Sequence, residues 1–126
     1  MVTIELSQKL FKLTKIKQST DENIDEDLLF RWYINLFYFN GKKAVICLNH
    51  LTRYPILIMN LQVSELRDIV SLLTEHIRQI WLLESIPEEI INKYLENFYQ
   101  VTFTKSSNRS LISTANELQR MGEYYL

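Results

Sequence analysis

Cysteine occurs once, and glycine and proline only twice each, in these 126 residues, and each scarcity excludes something. A single thiol, Cys47, permits no intrachain disulfide and no cysteine-based zinc site built from this chain alone. That usage fits a reducing, cytoplasmic compartment. Two glycines leave no phosphate-binding glycine loop and no glycine-flanked serine nucleophile. With so few enforced breaks, most of the chain can sit in regular helix or strand. Histidine is nearly as rare, and His50 and His76 do not form the pair four residues apart that binds zinc on a helix. No cofactor and no metal are expected. The net charge of −1 supplies no broad positive field for a nucleic-acid backbone, so direct action on nucleic acid is disfavoured. Long apolar runs are missing too. None approaches the roughly 20 residues that span a bilayer, and Lys9, Lys12, Lys15 and Lys17 interrupt what would be a signal-peptide core. Neither secretion nor membrane association is expected.

What is present is core-forming material. Apolar residues make up 47% and aromatics 12%, a composition that packs rather than staying disordered, and the length suits one domain over residues 1–126. Val2 to Leu6 alternates apolar and polar residues as a short strand does, and Leu6, Leu10 and Leu13 then fall at helical spacing. Asp21, Glu22, Asp25, Glu26 and Asp27 form an acidic connection without the glycine or terminal glutamate of a calcium loop.

The clearest local signal lies at 31–49. Two β-rich runs, 31–39 and 43–49, flank Asn40-Gly41, the dipeptide that suits a tight hairpin turn. Alternation puts Tyr33, Asn35, Phe37 and Phe39 with Ala44, Ile46 and Leu48 on one side. Trp32, Ile34, Leu36 and Tyr38 share the other with Val45, Cys47 and Asn49. Both sides are apolar, so both must be covered by helices, another sheet or a second subunit.

Tyr54 to Met59 reads as a third strand, with Pro55 tolerable at an edge. Leu66, Ile69, Leu73, Ile77 and Ile80 predict a long helix over 64–83 capped by Ser64. Ser85 and Glu88 have capping-box spacing for a further helix to about Asn97. Tyr99, Val101 and Phe103 alternate as a strand, and Leu111, Ala115, Leu118 and Met121 stripe a last helix. The fold class is therefore α+β: a small, mainly antiparallel sheet of about five strands with a central β-hairpin, packed with one long helix and two or three shorter ones.

One polar run could carry chemistry. Ser106, Ser107, Asn108, Arg109 and Ser110 lie between a strand and a helix, where free backbone amides, hydroxyls and a guanidinium could hold a phosphate or carboxylate. The same residues could simply cap the helix and form a structural salt bridge. Trp32, Tyr33 and Phe37 could stack on a flat ligand at the surface, although aromatics at strand spacing more often form core. Cys47 inside a strand reads as an inert buried thiol, and His50 as a turn residue in preference to a partner of Asn49 or Arg53.

The run Trp32-Tyr-Ile-Asn-Leu-Phe-Tyr-Phe-Asn40, the β-rich segment ending at Asn49, and the late Asn108-Arg-Ser110 resemble an uncharacterised bacterial family catalogued as a domain of unknown function. By that resemblance Trp32, Tyr33, Asn35, Asn40, Asn49, Asn108 and Arg109 are the positions carried over. It implies no reaction. The leading expectation is a non-enzymatic protein-interaction module, tied to a mobile-element, defence or counter-defence system and binding a protein partner or a second copy of itself. The competing expectation is a small enzyme or nucleotide-binding protein that uses the Ser106–Ser110 loop, with Asn35 or Asn49 orienting the phosphate.

Overall fold

The computed structural model describes residues 1–19, 27–106 and 108–125. Asp21, Glu22, Asp25 and Glu26 of the acidic connection, and Ser107 of the polar run, lie outside that set. Five strands, β1 (Val2–Leu6), β2 (Arg31–Phe39), β3 (Lys42–Asn49), β4 (Pro55–Leu61) and β5 (Val101–Lys105), form one sheet in the order β4-β3-β2-β1-β5. β2, β3 and β4 make an antiparallel meander, whereas β1 sits between β2 and β5 and runs parallel to both. The sheet is thus mixed, with the larger share of its pairing antiparallel.

The hairpin forms where the alternation places it. Asn40 (φ 50°) and Gly41 (φ 75°) both take the left-handed conformation that a two-residue turn requires, and the register sets Phe37 against Ala44 and Tyr33 against Leu48. Both sides of this ribbon are covered. On one, Trp32, Ile34, Val45 and Cys47 pack with Val2, Ile4 and Leu6 of β1 beneath α1 (Gln8–Thr14), α2 (Val63–Arg67), α3 (Ile69–Leu83) and α4 (Glu88–Leu95). On the other, Tyr33, Phe37, Ala44, Ile46 and Leu48 meet Leu111 and Ala115 of α5 (Arg109–Tyr125). The architecture is α+β, as the apolar patterning requires.

Four local expectations need correction. The helix expected over 64–83 is broken at Asp68 (φ −99°, ψ 54°) into α2 and α3, although Leu66, Ile69, Leu73 and Ile77 are all buried across the break. Its start is not capped by Ser64. Gln62 is the cap, with its side chain bonded to the Glu65 backbone and Glu65 reaching back to the Gln62 N–H. Ser85 begins nothing either. It takes φ 64° at the end of α3, and the Ile86 N–H reaches back to the Trp81 carbonyl as in a Schellman stop, so α4 starts after Pro87 without a side-chain cap. Tyr99 belongs to a 3-10 turn over Glu96–Tyr99 rather than to β5.

β1 is the feature that positions the site. Flanked by parallel strands and covered above and below, all five of its residues are buried, including the polar Thr3 and Glu5. The alternation in its sequence is real, but its polar side also faces the interior.

Candidate functional site

On the α5 side the sheet surface is apolar over β2 and β3 and changes character at β1. Glu5 pairs in register with Tyr33, so the two side chains rise from the same side, and Glu5 is only 1% exposed. A carboxylate so deep demands partners. Arg31, the first residue of β2, donates Nε–H to Glu5 Oε2 at 2.5 Å. His50 follows β3, its backbone N–H bonded to the Arg31 carbonyl, and brings Nε2 to 3.1 Å from the same oxygen. Burial pushes the Glu5 carboxyl up, but His50 and Arg31 outweigh it and hold the group below the ordinary value of 4.5. Glu5 is therefore an anion at neutral pH. Its second oxygen, Oε1, is buried without a hydrogen-bond partner.

Two contacts tie the strand-to-helix loop to this region. Tyr33 faces Ser106; burial raises the phenol, the Ser106 side chain opposes that, and the charge of Glu5 adds to the rise. Arg53, in the turn between β3 and β4 at φ 59°, reaches Ser110 Oγ with Nη2 at 3.4 Å. Its Nη1 is buried and unpaired. One carboxylate thus shares this side of the sheet with two guanidinium groups and an imidazole. The two guanidinium groups outnumber the carboxylate, a positive excess that suits a phosphate or carboxylate.

The structure separates the residues singled out in the sequence. Ser110 and Tyr33 join the cluster. Asn108 Oδ1 accepts from the Leu111 N–H at 3.0 Å and so caps α5, while Asn108 and Arg109 are both exposed. Asn35 is half-buried on the Tyr33 side. Asn49 faces the opposite side and is fully engaged: Nδ2 donates to the Leu29 carbonyl, and Oδ1 accepts from the N–H groups of Leu51 and Thr52 and from the Thr52 hydroxyl. Trp32, Tyr33 and Phe37 are buried core side chains. Burial pushes the Cys47 thiol well up, away from the thiolate. Among the described residues no three His, Cys, Asp or Glu side chains gather to hold a metal ion, and no helix is long and apolar enough to cross a membrane.

Glu5 and Arg31 carry no motif in the sequence, and His50, for which the sequence offers Asn49 or Arg53 as partners, turns instead to Glu5. A signal was there. Glu5 is the one charged residue in an otherwise Val-Thr-Ile-Leu strand, and Arg31 opens the hairpin. Only the parallel register of β1 on β2 brings them together.

A family model described as a domain of unknown function, DUF6933, matches residues 3–126. The chain belongs to that family. The match spans nearly the whole sequence, so the fold and charge cluster described above lie within the DUF6933 domain. No curated protein and no solved structure matches the chain.

Proposed function

We propose that this DUF6933 domain is a ligand-binding module whose recognition centre is the Glu5–Arg31–His50–Arg53 cluster beside the Ser106–Ser110 loop. The ligand is a small molecule carrying a phosphate or carboxylate together with a hydrogen-bond donor. One observation carries the reading: a buried carboxylate oxygen, Glu5 Oε1, has no partner. Buried polar atoms in folded proteins are nearly always satisfied, so an orphan calls for an explanation. The unpaired Arg53 Nη1 asks for the complementary acceptor. Ser110, already bonded to Arg53 at the start of α5, would add its hydroxyl to an anion site.

Inorganic phosphate is the simplest probe. Saturating phosphate, about tenfold above its dissociation constant, should stabilise the wild-type chain by about 1.4 kcal/mol in a melting assay at constant ionic strength. Arg53→Gln should lose that gain and Arg109→Ala should lose less of it. A phosphate response that is absent, or that survives in Arg53→Gln, would sink the proposal.

Exposed apolar side chains favour a second reading as a protein-interaction module, with a partner sought first among mobile-element, defence and counter-defence proteins. Leu83 is 86% exposed at the end of α3, and Leu82 and Ile90 beside the same corner are also exposed. Such a cluster often marks a contact surface. If a second copy binds there, sedimentation should show concentration-dependent association that Leu83→Glu removes. A wild-type chain that stays monomeric at every concentration would count against self-association.

A further inference from the structure

On the side of the sheet opposite α5 lies a cavity of about 180 Å³ walled by Trp32, Tyr54, Trp81 and Tyr94, with Glu84 on its rim. Its size suits a small group, since an engineered apolar cavity of roughly 150 Å³ accepts benzene. The Trp81 and Tyr94 rings meet at 57° with centroids 4.9 Å apart and form one corner.

The neutral polar groups around this space are already committed. Tyr94 Oη accepts from Trp32 Nε1 at 2.9 Å and donates to the Leu29 carbonyl at 2.7 Å. Both amide atoms of Asn49 are used in its turn, and Thr52 Oγ1 both donates to Asn49 and accepts from the Tyr54 N–H. Tyr54 Oη donates to Glu84 Oε1 at 2.6 Å, which fixes the carboxylate at the rim. Among the described residues no lysine, arginine or histidine lines the cavity. It therefore offers ring surfaces and one negative charge, and almost nothing to a guest that needs hydrogen bonds.

Those properties select the guest. A primary ammonium or a guanidinium could bond the Glu84 carboxylate, but its remaining N–H groups would face the rings unpaired, at the cost of their lost hydration. A neutral apolar group would match the rings and ignore the carboxylate. A methylated ammonium presents a shell of C–H groups around a positive charge, is attracted to aromatic faces, and needs no hydrogen-bond acceptor. We infer that this cavity binds a methylated ammonium group, with Trp81, Tyr54 and Tyr94 as its aromatic walls and the Glu84 carboxylate as its counter-charge. The site is independent of the Glu5 cluster, which lies on the other side of the sheet.

Choline and its uncharged carbon isostere, 3,3-dimethyl-1-butanol, make the decisive pair of probes, followed by tryptophan fluorescence at constant ionic strength. Choline should produce a saturable change, with the isostere at least about tenfold weaker because it lacks the charge. Glu84→Gln, at an exposed position that leaves the core untouched, should weaken choline about tenfold and leave the isostere unaffected. Trp81→Leu should abolish the choline response while the far-ultraviolet dichroism is retained. Equal binding of the two probes, an unchanged choline affinity in Glu84→Gln, or no saturable response to choline would each overturn the inference.

Discussion

Glu5→Gln is expected to destabilise the domain by about 3–5 kcal/mol, the cost of removing one partner from a buried charge pair and leaving the other uncompensated. For a chain of this size that corresponds to roughly 10–20 °C in Tm. The amide would leave Arg31 Nε without an anion and His50 Nε2 facing a neutral group, at a place where Glu5 is almost wholly enclosed. The same variant should change the response to acid. Because the folded-state pKa of Glu5 is depressed below 4.5, its stabilising contribution is fully present above the ordinary carboxylate range. That contribution is lost as the pH falls through the lower folded value, since the unfolded chain takes up the proton first. Urea midpoints measured from pH 7 to pH 3 should therefore fall less steeply for Glu5→Gln than for wild type. Identical slopes and an unchanged Tm would show that the contact contributes nothing. The double variant Glu5→Leu with Arg31→Met separates stability from function, because buried ion pairs replaced by apolar groups are often neutral or stabilising. A double variant that folds well but no longer responds to phosphate would mark the cluster as one kept for binding.

Asn49→Ala should cost about 2–4 kcal/mol without weakening phosphate binding. Four hydrogen bonds converge on this side chain, at about 1 kcal/mol each net, and the Leu29 carbonyl would keep only Tyr94 as a donor. Leu51 and Thr52 are exposed, so their N–H groups can turn to water, which keeps the loss below that of Glu5. Chemical denaturation gives the first quantity and the phosphate-induced shift in Tm gives the second. A stable Asn49→Ala protein that has lost its phosphate response would restore the role of Asn49 as an orienting residue for a ligand.

Much of the fold was legible because its signals are local. Asn40-Gly41 can satisfy two positive φ angles, and the alternation through Tyr33, Phe37, Ala44 and Leu48 dictates which residues meet α5. Spacing also identified the buried stripe Leu66, Ile69, Leu73 and Ile77, but not the break at Asp68, because a periodic apolar pattern survives a change of backbone direction. Ser85 shows the same limit at a helix end. A serine three residues before a glutamate looks the same in sequence whether it opens one helix or closes another. The charge cluster was illegible for a different reason. Glu5, Arg31 and the turn that holds His50 and Arg53 lie far apart in the chain, and no spacing rule brings Glu5 to Arg31 until β1 lies parallel to β2. The aromatic cavity also depends on tertiary placement, since Trp32 and Trp81 come from a strand and from a distant helix.

The position of β1 has a consequence for how the molecule is made. β1 needs one neighbour from the hairpin and another, β5, much further along the sequence, with Thr3 aligned to Thr102. Parallel pairing over such a separation is slow, because the loop must close before any contact rewards it. Pairing within the meander joins adjacent segments and so carries a smaller loop-closure cost than the pairing of β1 with β5. Glu5 meets Arg31 only through the pairing of β1 with β2, so the charge cluster is complete only in the closed sheet.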